Sequence, residues 1–216
     1  MPNWCTNEIT VTGDYDKIEE FKQFVTGEYY HGKCADSFKW VWDKDMDKGE
    51  SVAIPDHCNP NDDFKDTCDK RLNEFSFRSI LPMPTELEHT TSPVDVYETQ
   101  ADIDAYFEEL RSKDGYDERS GYYKSIIAKC MTREYSDYLK NTFGANNWYD
   151  WAYDNWGTKW DVNVDDFQDS GDWLSYEFDT AWSPPEPICS FLRDKFPDVT
   201  ITWFFREEGQ EIAGYL

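Results

Sequence analysis

Ten tryptophans, fourteen tyrosines and fourteen phenylalanines share 216 residues with a formal net charge of −24. That pairing constrains the fold more tightly than any motif. Disordered acidic chains lack aromatics, because they have no core to bury. This chain has much to bury and still sets 45 acidic side chains against 21 basic ones. It reads as a folded protein with an anionic surface, which repels nucleic acid and membranes and attracts basic proteins. No run of about 18 apolar residues occurs, so no membrane span is expected. The first residues, Met1 to Cys5, have neither a basic nor an apolar segment of signal-peptide type, which predicts a cytoplasmic location. The six cysteines then read as reduced thiols, and no CxxC pair is present.

Hydrophobic periodicity divides the chain. Alternation predicts strands over 7–12, 158–164, 174–182 and 199–205, a short one near Trp40 and Trp42, and an edge strand over 211–215. Residues 75–84 begin as alternation and end in prolines, which predicts a strand with an irregular exit. Apolar residues at helical spacing predict helices over 14–25, 102–113, 122–143 and 147–156, with another from Pro184-Pro185 to Phe196. In the helix over 122–143, Tyr123, Ile126, Ile127, Cys130, Met131, Tyr138 and Leu139 are expected to face inward. Gly144 and Gly157 read as helix stops. Without its middle the chain reads βαββαβ, the split βαβ arrangement. The expected class is α+β: a ferredoxin-like, four-stranded antiparallel sheet with two helices on one face. Ile9, Val11, Ile201 and Trp203 should line its inner face. The expected organisation is a single domain, 1–216, carrying a loop-rich insertion at 28–73 and a largely helical insertion at 86–145.

Several blocks carry a family resemblance. They are Met1-Pro2-Asn3-Trp4-Cys5-Thr6-Asn7 with Ile9-Thr10-Val11-Thr12-Gly13, and Phe77-Arg78-Ser79-Ile80-Leu81-Pro82-Met83-Pro84. Asn147-Trp148-Tyr149-Asp150-Trp151 and Asn155-Trp156-Gly157-Thr158-Lys159-Trp160-Asp161 follow. Phe178-Asp179-Thr180-Ala181-Trp182-Ser183-Pro184-Pro185, then Glu207-Glu208-Gly209-Gln210 with Gly214, complete the set. Together they resemble the YubB-type ferredoxin-like domain family of phages and plasmids. The resemblance implies a fold name rather than an iron–sulfur cluster. It also implies a mobile-element protein made in a bacterial host cytosol, and it supplies no catalytic residues. The insertions at 28–73 and 86–118 are the parts this pattern explains least.

Four constellations are candidate sites. Residues 86–118 hold eleven acids against Arg111 and Lys113, and Asp102, Asp104, Glu108 and Glu109 lie off the apolar helix face. Residues 150–186 hold ten acids and one base, Lys159; Asp165, Asp166, Asp169 and Asp172 are the second acidic candidate. Charge runs are most often solvated faces. A duplex, however, carries about one charge per 1.7 Å, a density that ordered carboxylates can imitate. Trp148, Trp151, Trp156 and Trp160 read first as core, and second as a weak ligand platform; the surrounding acids exclude a phosphate backbone. His31, Cys34, His57, Cys58 and Cys68 supply enough ligands for a structural zinc, although their spacing matches no standard finger. Asp43, Asp45 and Asp47 start like a calcium loop, but Lys48 and Ile54 stand where Gly and Glu are needed. Asp161, Asp165, Asp166 and Asp169 read as a further acidic turn.

No GxSxG, GxxxxGK[ST], GxGxxG or HExxH occurs, so no enzyme is expected. The preferred function is a phage or mobile-element accessory protein. It would be a non-enzymatic acidic protein-binding inhibitor, of a kind that mimics nucleic acid against host defence. Its expected partner is a basic host protein of nucleic-acid-binding type, with no direct nucleic acid, no membrane and no cofactor. The alternative is a small-ligand or metal-binding module that uses the Trp block or the Cys/His insertion.

Overall fold

The structure, a computed structural model, describes every residue except 1–2, 33–37, 44–47, 54–67, 114, 116 and 118–119; the side chains of 28–71 also lie outside the description. Strand β1 (Trp4–Thr12) leads into helix α1 (Tyr15–Val25). Four strands follow: β2 (Gly27–Gly32), β3 (Phe38–Asp43), β4 (Lys48–Ala53) and β5 (Cys68–Asn73). Next come α2 (Phe77–Ile80), α3 (Thr85–Glu88), β6 (Asp95–Tyr97), α4 (Gln100–Arg111), α5 (Gly121–Lys129), β7 (Cys130–Thr132), α6 (Arg133–Phe143) and α7 (Trp148–Trp156). The chain closes with β8 (Val164–Asp169), β9 (Trp173–Ala181), α8 (Glu186–Lys195), β10 (Thr200–Glu207) and β11 (Ile212–Tyr215).

This is a mixed α+β chain built on an antiparallel sheet of five strands, in the order β11-β10-β1-β9-β8. Three of the four expected sheet strands are present as β1, β9 and β10; β8 stands in place of the one expected over 158–164, and β11 lies at the expected edge. The loop-rich expectation for 28–73 is corrected in its described part: β2 pairs with β5 and β3 with β4.

Alternation along β1 turns Cys5, Asn7, Ile9 and Val11 inward and Glu8, Thr10 and Thr12 to solvent. On the inner face Ile9 lies between Trp203 and Tyr176, and Val11 between Ile201 and Leu174. Helices α1 and α8 cover this face with Ile18, Phe21 and Val25 and with Ile188, Cys189 and Leu192, all buried. Phe21 meets Phe196 edge-on at 5.2 Å. Phe75 fills the centre, 5.2 Å from the rings of both Tyr176 and Phe178. Each such fully buried side chain contributes roughly 1.5–3 kcal/mol.

Asn7 is a fully buried polar residue in this core, with both amide hydrogens and its oxygen engaged. Its amide donates to the Cys5 carbonyl and to Thr180 Oγ1, each at 2.9 Å, and its Oδ1 accepts from Trp203 Nε1 at 3.0 Å. One side chain thus joins β1 to both neighbouring strands. Tyr176 is the opposite case: its hydroxyl is buried with no hydrogen-bond partner among the described residues, and burial pushes the phenol pKa upward.

Three sequence expectations fail for identifiable reasons. Within residues 75–84, Phe77–Ile80 form the short helix α2 and no strand is present. The Asp161 carboxylate accepts from Phe77 N and Ser76 Oγ, each at 2.7 Å, and from Val162 N at 2.8 Å, so it satisfies donors that α2 would leave open. Enclosure of that carboxyl group pushes its pKa up, against the pull of the same donors. The strand expected over 158–164 is replaced by an irregular segment, because Asp161 is turned toward α2; β8 begins only at Val164. The helix expected over 122–143 is broken. Cys130–Thr132 pairs in parallel with Asp95–Tyr97, and the Thr132 hydroxyl then caps α6 by accepting from Tyr135 N. Tyr138 is exposed rather than inward-facing, while Met131 and Leu139 are buried.

The two buried polar groups give opposite predictions. Asn7→Ala orphans Trp203 Nε1 and should cost about 2–3 kcal/mol. Tyr176→Phe removes an unpaired hydroxyl and should be neutral or stabilising by up to about 1 kcal/mol. Denaturant midpoints of the two variants against the parent chain measure both.

Candidate acidic docking face

The same register that turns Asn7 inward turns Glu8 outward. Glu8 stands directly opposite Glu177 on β9, and Glu177 opposite Asp166 on β8. Three carboxylates therefore lie in one row across three hydrogen-bonded strands about 4.8 Å apart. Asp179 stands two residues along β9 from Glu177. Asp165 lies within the register shift between Val164 and Asp166, an irregularity of the kind that re-aims side chains. Glu8, Asp165, Asp166 and Asp179 are exposed and Glu177 is half-buried.

None of these five carboxylates takes part in an ion pair among the described residues. Arg206 is the basic side chain at the outward positions of this sheet. It sits opposite Thr6, two strands from Asp179. Burial first, and the Asp179 charge second, push the Asp165 pKa above the usual carboxylate range.

The acids expected on α4 are placed differently. Asp102 completes a capping box with Thr99, Asp104 accepts from Gln100 at 3.0 Å, and Glu108 pairs with Arg111 at 2.7 Å. Glu109 pairs with Lys113 at 3.2 Å. Of the second acidic group, Asp169 accepts from Lys22 Nζ at 2.7 Å and from Gly171 N at 2.9 Å. The Lys22 ammonium holds Asp169 below the usual carboxylate range. Asp172 is exposed near the end of the β8–β9 turn. Asp165 and Asp166 join the row, and Glu8, Glu177 and Asp179 were missed. Their signal was present in the alternation of 7–12 and 174–182, where each falls on the polar phase.

The Trp block separates into core and surface. Trp151 and Trp156 are buried and meet edge-on at 5.6 Å, and Trp156 Nε1 donates to the Leu81 carbonyl at 2.9 Å. Trp148 packs, partly buried, against the same core. Trp160 is 44% exposed and faces Trp4, itself 51% exposed, with ring centroids 6.3 Å apart. A cleft of about 380 Å³ opens there, with Asp165 and Asp179 in its wall.

Cys34, His57 and Cys58 lie outside the described residues, and so do the side chains of His31 on β2 and Cys68 on β5. Asp45 and Asp47 lie outside them as well, as does the side chain of Asp43. The acidic turn expected from Asp161, Asp165, Asp166 and Asp169 is corrected: Asp161 is held in the α2 cap and the others lie on β8. Among the described residues no group of three or more His, Cys, Asp or Glu is placed to hold a metal ion. Cys5 and Cys189 are buried free thiols, and Cys130 is half-buried. No helix among the described residues is long and apolar enough to cross a membrane.

Like charges directly opposite in a ladder destabilise it. Glu177→Gln should therefore raise stability by about 0.5 kcal/mol at low salt, and the gain should shrink in high salt. Thermal unfolding at two ionic strengths reads this. The Lys22–Asp169 pair behaves oppositely. Asp169's folded pKa lies below its ordinary 3.8, so the pair stabilises above that value and is lost as pH falls through the lower one. A double-mutant cycle on Lys22→Ala and Asp169→Asn should give about 0.5 kcal/mol at neutral pH, and the coupling should decline as pH falls below 3.8.

Residues 155–216, which carry β8, β9, α8, β10 and β11, match the family model described as a ferredoxin-like domain in Api92-like protein. Among solved structures the chain is similar to the crystal structure of a protein api92 from Yersinia pseudotuberculosis. The identity is 14%, over 100% of this chain and 93% of that chain, with a TM-score of 0.41. No curated protein matches.

Proposed function

We propose that this chain is a non-enzymatic, acidic protein-binding inhibitor that docks on a basic partner through the outer face of its five-stranded sheet. The observation that carries this is the row of Glu8, Glu177 and Asp166, flanked by Asp165 and Asp179. A surface that only solubilises gains nothing from like charges set directly opposite, each pair costing several tenths of a kcal/mol. Carboxylates about 4.8 Å apart on a rigid sheet approach the roughly 3.4 Å axial spacing of charges along one DNA strand. A protein that grips phosphates through Lys and Arg would meet a related charge density here. The partner is therefore a basic host protein of nucleic-acid-binding kind, and the chain itself repels nucleic acid. No cofactor enters.

The chain path β1-α1-β8-β9-α8-β10, with spatial order β10-β1-β9-β8, supports a split βαβ frame. Together with the quoted blocks it supports membership of the YubB-type family, and with that a mobile-element protein acting in a bacterial cytosol against host defence.

The test immobilises the full chain and a Glu8→Gln/Glu177→Gln/Asp166→Asn variant against bacterial lysate at about 50 mM and about 200 mM salt. The parent should retain a basic nucleic-acid-binding protein at low salt and lose it at high salt, and the variant should not retain it. Purified, that protein should be displaced from the chain by duplex DNA. Retention that ignores both salt and the substitutions, a partner that DNA does not displace, or no basic partner at all would overturn the proposal.

A further inference from the structure

The row of carboxylates accounts for long-range attraction but not for the two half-exposed indoles beside it. Trp4 and Trp160 stand 6.3 Å apart with ring planes tilted by 37°. Exposing two of the largest apolar side chains together is costly for a free surface, and aromatic anchors of this kind concentrate at recognition sites. Trp4 begins β1, while Trp160 sits in the irregular segment that Asp161 pins to α2. Both rings are therefore held by the rigid frame. Their cleft, about 380 Å³, falls near the small end of the roughly 300–1,000 Å³ range of ligand pockets. It suits one side chain rather than a peptide.

The polar wall of the cleft is anionic. Asp161 contributes to it but is already committed to Ser76, Phe77 and Val162. Asp165 and Asp179 are exposed and, among the described residues, make no hydrogen bond or ion pair. Their charges oppose one another, a repulsion that a cation placed beside both would relieve. The aromatic wall favours the same ligand, since an indole face attracts cations through its quadrupole. Trp160 already demonstrates this: Lys159 Nζ rests 3.8 Å from its ring centroid.

We propose that the Trp4–Trp160 cleft is a socket for one arginine of the basic partner, with the guanidinium laid against the indoles and hydrogen-bonded to Asp165 and Asp179. Arginine fits better than lysine. Its planar, weakly hydrated head stacks on aromatic rings and offers paired donors to carboxylates, whereas an ammonium is a compact, strongly hydrated point charge. The identity of the partner rests on the docking reading above; the socket itself does not.

The experiment titrates the isotopically labelled full chain with N-acetyl-arginine methylamide, N-acetyl-lysine methylamide, tetramethylammonium chloride and sodium chloride at matched ionic strength. The readout is the indole N–H resonances of Trp4 and Trp160, assigned from Trp4→Phe and Trp160→Phe spectra. The arginine probe should shift both indoles saturably and bind more tightly than the other cations. Asp165→Asn/Asp179→Asn should weaken it by about tenfold, the scale of one charge-assisted contact, while the remaining amide spectrum stays folded. Glu8→Gln/Glu177→Gln/Asp166→Asn should leave saturable arginine binding in place. Indoles that respond equally to sodium, or to no probe, overturn the socket. Tighter binding of lysine or tetramethylammonium overturns its assignment to arginine. A partner captured from lysate that is indifferent to Trp4→Phe/Trp160→Phe overturns the socket alone. Arginine binding without any captured basic partner overturns the docking reading alone.

Discussion

Asn7, buried at the middle of β1, holds β9 through Thr180 and β10 through the Trp203 indole, with both its amide hydrogens and its oxygen engaged. A one-residue slip of β1 against either neighbour would break these bonds and expose Ile9 and Val11. The same slip would turn Glu8 into the core. The register that buries an amide is thus the register that sets Glu8 beside Glu177 and Glu177 beside Asp166. Packing on one face of the sheet fixes charge geometry on the other.

This coupling separates two kinds of acidic surface on one chain. The acids of α4 are neutralised within a turn or two by Thr99, Gln100, Arg111 and Lys113. They serve their own helix. Asp169 is tied to Lys22 and helps fasten β8 to α1. In the outer row Asp166 accepts from Gln168 at 2.9 Å, but no member has an ion-pair partner among the described residues, and the members come from three strands distant in sequence. There, like charges set opposite one another carry an electrostatic cost that a basic partner would relieve.

Much of the frame was legible because local pattern and tertiary fate agree. The spacing of Ile18, Phe21 and Val25, and of Ile188 and Leu192, names the inward faces of α1 and α8. Gly144 and Gly157 do end α6 and α7, with φ of 86° and 80°. The failures share one cause. Cys130, Met131 and Thr132 keep helical spacing, yet they pair with Asp95–Tyr97, about 35 residues away, and no local pattern records that partner. Phe75 to Ile80 starts as a strand pattern and becomes helical because a carboxylate 80-odd residues later supplies the cap. Trp160 looked like a continuation of the Trp-rich core and instead faces Trp4, 156 positions before it.

By itself the sequence determined that this chain folds, which residues form its interior, and that its surface is anionic. Composition and periodicity decide those things, because burial of aromatics is driven by area and alternation by the geometry of strand and helix. Which carboxylates stand together, which are neutralised, and which indoles stay exposed was decided only by tertiary structure. Those properties belong to pairs of residues brought together by strand register and loop closure, and no single segment contains both members.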